Sequence, residues 1–169
     1  MKRFICILVA VILVAASLMG GALATTFGRN FSELKRIVKD NAGSLTVTDY
    51  TTDNGTENMI ILFETSGTSL LLGDFYLTGT GNKIVVFKLY IVSSYTVSRA
   101  TALDFCNKWN YDRRYPTIYL DDSDNTFLAD GFLFTTSDCS YDMVDEFVSN
   151  MIFGAKQLIS EMESAGVMP

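Results

Sequence analysis

Histidine is absent from the 169 residues. With it go the side chain that titrates nearest neutral pH and the commonest metal ligand, so Ser-His and Cys-His catalysis and HExxH zinc chemistry are unavailable within the chain. Positive charge is scarce too: 13 Lys and Arg stand against 19 Asp and Glu, a net −6. Phosphate neutralisation needs a basic face, so nucleic acid is not an expected partner. Charged residues of both signs make up only 19%, whereas apolar residues make up 49%, a balance that excludes disorder as the default and supplies a core. No internal repeat, low-complexity tract or linker divides the chain, so one compact domain is expected. The glycines at 79 and 81 lack both a following lysine and a helix; they make no phosphate loop, and no cofactor is expected.

What is present begins with an export pattern. Lys2 and Arg3 precede an apolar run from Phe4 to Ala16, then Gly20-Gly21 and Ala22-Leu23-Ala24. This is the layout of a secretory signal peptide, with small side chains at Ala22 and Ala24 suited to the peptidase and cleavage expected after Ala24. The competing reading is an uncleaved anchor over residues 4–24, which would tether the protein as a membrane-bound structural subunit; a spanning helix needs about 20 residues. Processing leaves residues 25–169 as the mature domain, with a net charge of −8 because Lys2 and Arg3 leave with the leader. The expected location is the bacterial periplasm or outside the cell. Two cysteines remain, Cys106 and Cys139, an even count that admits a disulfide in an oxidising compartment. Cys106 also reads as a small buried hydrophobe, since it falls on the apolar face of a helical segment.

Periodicity gives the elements. Asn30, followed three residues later by Glu33, reads as a helix start in which the carboxylate reaches back to the cap, and Gly43 offers a left-handed stop. A helix over 30–41 follows, with Phe31, Leu34, Ile37 and Val38 on one face. Alternating, β-branched runs come next at 45–50, 58–65, 69–78 and 83–92. The first two are joined through Asp53-Asn54-Gly55, a strong hairpin signal. In the fourth run Val85, Phe87, Leu89 and Ile91 form the expected core face. Helical spacing returns over 98–109, with Ser98 as cap and Ala102, Leu103, Cys106 and Trp109 inward. Strands at 117–120 and 126–135 follow, and a long amphipathic helix from Tyr141 closes the chain. The order is α-β-β-β-β-α-β-β-α: an α+β fold, an antiparallel meander with flanking helices, most economically covered on one face.

Asp121, Asp122, Asp124 and Asn125 form the sharpest charged cluster, and hard cations want several such oxygen ligands. The EF-hand pattern fails, because Phe127 stands where glycine is needed and Leu133 where glutamate is needed. A solvated hairpin turn explains the cluster better, and no metal ligand is assigned. A small metal-dependent hydrolase using this turn is the alternative from another class.

The stretch from Cys106 to Asp121, CNKWNYDRRYPTIYLD, resembles the YbjN family, described as bacterial sensory-transduction regulators. The family pattern runs N-x-W-N, a short gap, Arg followed by an aromatic, and a strand ending in Asp. Asn107, Trp109, Asn110, Arg114, Tyr115 and Asp121 occupy the matching positions, and the likeness spans Phe31 to Ile159. It implies a fold similar to type III secretion chaperones, a curved antiparallel sheet flanked by helices that pairs into dimers and binds partner segments. It also implies a non-enzymatic binding or regulatory module, since no catalytic residues carry over. The residues have a physical reading of their own. Trp109 can anchor its helix to the sheet, Asn107 and Asn110 suit a helix end or the next loop, and Arg114 can stack on Trp109 or Tyr115 or pair with Asp121. A helix-to-strand corner accounts for them better than a ligand site does. The expected partner is therefore a protein or a second copy, the latter also suggested by Met143 and Phe153, which lie off the main stripe of the last helix.

Overall fold

A computed structural model describes residues 25–65, 71–91, 97–113, 115–121 and 126–168. Residues 1–24, with the expected cleavage positions Ala22 and Ala24, lie outside them, as do Arg114 and positions 122–125 of the acidic turn. The elements are α1 (Phe31–Ala42), β1 (Thr46–Thr51), β2 (Glu57–Phe63), β3 (Leu71–Thr78), β4 (Ile84–Ile91), α2 (Arg99–Asp112), β5 (Thr117–Asp121), β6 (Thr126–Phe134) and α3 (Tyr141–Ser164). This is the α+β order expected from the sequence, with a six-stranded, wholly antiparallel sheet among the described residues.

Each helix starts where a short polar side chain can accept a backbone N–H that the helix itself cannot use. Asn30, Ser98 and Ser140 accept from Glu33, Thr101 and Met143 respectively. The reciprocal half of the first cap departs from expectation. The Glu33 carboxylate accepts from the Gly28 N–H at 2.6 Å, so it ties down the chain two residues before the cap. Gly43 ends α1 at φ 61°, a conformation that favours glycine.

The sheet order is β1-β2-β3-β4-β6-β5. The first four strands form the expected meander, after which the chain crosses through α2 to the far edge, lays down β5, and returns with β6 against β4. The three described helices pack on one face. That face carries Met59, Ile61 and Phe63 of β2, Phe75 and Leu77 of β3, Val85, Phe87, Leu89 and Ile91 of β4, and Phe127 and Ala129 of β6, all buried. Antiparallel sheets can leave the opposite face wet, and the alternation along β4 follows that division. Residues 25–27 join this layer: Phe27 is buried, its N–H bonds the Cys139 carbonyl, and the Thr25 carbonyl accepts from Tyr141.

The long helix α3 sets the depth of the core. At Gly131 on β6 a side chain would run into the Met151 sulfur, so the bare position leaves room for that side chain of α3 against the sheet. Gly154 does the same on the helix side, where a Cβ would lie 2.5 Å from the Tyr115 carbonyl oxygen and 3.0 Å from Pro116 Cδ. Between α1 and α3, the Asn41 amide donates to Asp145 at 2.8 Å, and the Arg36 guanidinium sits 4.9 Å over the Tyr141 ring. Among the described residues no helix is long and apolar enough to cross a membrane.

Gly154→Ala therefore separates two opposed effects. Helix propensity alone would favour alanine by about 1 kcal/mol, but the clash is with backbone, which cannot rotate away. A net loss of about 1–3 kcal/mol in denaturant unfolding is expected; a stabilised variant would show that α3 does not sit this close to the 115–116 corner.

Candidate functional site

The motif residues from 106 to 121 build the corner between α2 and β5. Trp109 is buried, and its indole N–H donates to the Pro116 carbonyl at 2.8 Å. The Asn110 amide pairs with one residue of β5 in both directions, donating to the Ile118 carbonyl at 2.7 Å and accepting its N–H at 2.9 Å. A side chain thus completes the outer edge of β5 as a neighbouring strand would. Asn107 is exposed on α2. Arg113 lies against Trp109: its guanidinium is 5.7 Å from the ring centre, and it donates to Glu161 of α3 at 2.8 Å. Arg113 caps α2 four residues after Trp109 and its N–H bonds the Trp109 carbonyl, which brings the two side chains to the same side of the helix end. Arg114 itself lies outside the described residues. Tyr115 is exposed beside Pro116, and Asp121 closes β5 opposite Thr126.

Cys106 and Cys139 are both buried and both free thiols; the structure does not form the bridge that their even count admits. Burial pushes the Cys106 thiol up to about 11 and raises that of Cys139, whose shift is tempered by Arg29. Neither is poised as a nucleophile, which needs the thiolate. Cys106 packs as the small hydrophobe read from its helical position. Of the acidic turn, Asp121 alone is described, and no three metal-ligating side chains gather among the described residues.

The face of the sheet that carries no helix among the described residues holds the polar chemistry. Register aligns Tyr50, Asn58, Tyr76, Val86 and Phe132 in one row across five strands. Beside it Asp74, Lys88 and Asp130 form a charged row across β3, β4 and β6. Asn58 and Asp74 are only 4% and 7% exposed, and the Asn58 amide donates to the Asp74 carboxylate at 2.7 Å. The second oxygen of Asp74 and the Asn58 carbonyl oxygen have no hydrogen-bond partner among the described residues. Burial raises the Asp74 carboxyl above the ordinary aspartate range, against the opposing Asn58 hydrogen bond and the Lys88 charge. Burial likewise raises Tyr50, Tyr76 and Tyr90 around it. Tyr119 is pushed up to about 12, first by burial and then by Asp130, to which its hydroxyl donates at 3.1 Å. Nothing in the sequence pattern singles out Asn58 or Asp74. Only strand register brings them together.

The apolar chemistry lies where this face meets β6 and α3. Phe134, Phe153 and Met143 are 71%, 61% and 52% exposed, and Phe132 and Tyr115 are close to half exposed. Tyr115, Phe132, Leu133, Met143, Phe147 and Glu146 line a groove of about 190 Å³ between the end of β6 and the first turns of α3. Single exposed hydrophobes need no explanation, but contiguous ones mark interaction surfaces. Fold and surface together define an α+β protein with one helix-covered face and an aromatic margin on the other. Compared with known proteins, the chain matches no protein-family model, no curated protein and no solved structure.

Asp74 supplies a pH test. A carboxyl whose folded pKa is raised holds its proton more tightly in the folded state, so its penalty is fully present above that pKa. The penalty fades as pH falls through it toward the ordinary value of 3.8. Asp74→Asn keeps the shape and can keep the bond to Asn58 while removing the charge. The variant is expected to melt higher than wild type at pH 7 and to lose that advantage on acidification; a lower melting temperature at pH 7 would mean that Lys88 outweighs burial.

Proposed function

We propose that this chain is an exported, non-enzymatic, protein-binding module of the YbjN type, acting in the bacterial periplasm as a chaperone-like or regulatory accessory. The observation that carries the reading is the exposed cluster Phe132, Phe134, Met143, Phe153 and Tyr115 on a domain whose other large apolar side chains are mostly buried. Leaving five large side chains in water at one corner forgoes burial that would stabilise the fold, and a protein partner is the economical cover. The motif supports the family reading in its structural role, because Trp109 and Asn110 fasten the strand that begins beside this cluster. The export pattern at residues 1–24 supports the location. The free cysteines and the lack of histidine support a binding role over catalysis.

A photo-crosslinking amino acid placed at Phe153 tests this in living cells, with the same group at exposed Lys39 on α1 as comparison. The Phe153 position is expected to give a discrete protein adduct that disappears when Met143→Glu is added, while Lys39 gives none. Equal labelling from both positions, or none from Phe153, would overturn the proposal.

A further inference from the structure

Hydrogen-bond parity identifies an unfilled place at the apolar corner. The Thr135 N–H bonds the Lys83 carbonyl at 2.7 Å, and β4 and β6 are in register with Ile84 opposite Phe134. In an antiparallel pair bonded and non-bonded positions alternate, so Leu133 and Gly131 bond β4 while Phe132 and Phe134 turn their N–H and C=O groups the other way. Asn110 confirms the parity on the next strand: it takes both backbone groups of Ile118, so Thr117 and Tyr119 are the β5 residues that bond β6. But β5 begins at Thr117, opposite Asp130. Beyond Asp130 the outward edge of β6 has no strand beside it among the described residues, and there Phe132 and Phe134 also expose their rings.

We propose that this edge is filled by a second copy of the chain, pairing antiparallel about a two-fold axis through Leu133. This deepens the protein-binding reading above and rests on it. An unpaired run of N–H and C=O groups is a template for another strand, and a two-fold interface needs a self-complementary patch. The 132–134 segment meets that condition. About Leu133, Phe132 stands opposite the partner subunit's Phe134 and the reverse, at positions whose backbone groups both face the junction, so each pair of residues exchanges two hydrogen bonds. Both rings lie on the helix-free face, where cross-strand aromatic pairs stabilise a sheet. The same rotation keeps the helices of both copies on one side and brings two antiparallel α3 helices together along the ridge of Met143, Glu146, Asn150 and Phe153. One operation thus covers exposed side chains on two separate elements. On that ridge Glu146 and Asn150 are one turn apart, so antiparallel helices can set each glutamate beside an asparagine instead of beside its like.

Sedimentation equilibrium of residues 25–169 over a wide concentration range tests this with two variants. Phe134→Pro removes an N–H directed at the junction but none that bonds β4. Phe134→Lys changes an exposed side chain and adds the charge that natural edge strands use against pairing. Wild type is expected to dimerise, and each variant to weaken the dimer by about tenfold or more, as when a central aromatic anchor is lost. Phe134→Lys is expected to leave the melting temperature of the monomer unchanged, which keeps the test valid if the proline variant folds poorly. A wild-type monomer throughout, or a dimer indifferent to Phe134→Lys, would overturn the pairing. An adduct to a different protein from Phe153, together with a monomer here, would overturn this pairing and leave the binding-module reading standing.

Discussion

Backbone N–H and C=O groups at the margin of a sheet must find partners or stay in water, and that requirement governs the side of the molecule built from β4, β5, β6 and α2. At β5 it is met by a side chain. The Asn110 amide bonds both backbone groups of Ile118, which locks the end of α2 to the strand and lets Trp109 insert behind it against Pro116. The position of β5 in turn decides where β6 becomes an edge. Because β5 starts opposite Asp130, the last four residues of β6 are lined, among the described residues, by a strand on the β4 side only, and the groove beside α3 opens at that point.

The helix layer is set by a second constraint, the exclusion of side chains at close approach. Gly131 and Gly154 admit α3 to the sheet and to the 115–116 corner. The apolar stripe of α3 is then consumed by the core, whereas Met143 and Phe153, a quarter-turn or more off that stripe, remain in water. The β1 margin on the far side shows the contrast. Its exposed residues are mostly threonines, and Asp49 there pairs with Lys35 of α1, whereas the β6 margin carries Phe132 and Phe134.

Much of the fold was legible in the sequence because its signals are local. The caps at Asn30 and Ser98, the Asn54-Gly55 turn and the core face of β4 each depend on residues within a few positions of one another, and the elements fall within about three residues of their expected bounds. Pairing between distant strands was not legible. No local signal says that β6 lies between β4 and β5, so the free edge at Phe132 cannot be read from periodicity, and the Asn58–Asp74 pair needs the register between β2 and β3, which periodicity leaves open. The contact of Arg113 with Trp109 was not read from the sequence either, because it depends on how the chain leaves the end of α2. Met143 and Phe153 were legible as off-stripe residues, but Phe132 and Phe134 join them only once the sheet order is known.

Amide hydrogen exchange followed residue by residue addresses the unpaired β6 edge most directly. At high dilution the Phe132 and Phe134 amides are expected to exchange quickly while Gly131, Leu133 and Ile118 stay protected, and protection of Phe132 and Phe134 is expected to grow with protein concentration. Equal protection of all five amides at every dilution would contradict the account, because β6 would then have a partner on both sides within a single chain.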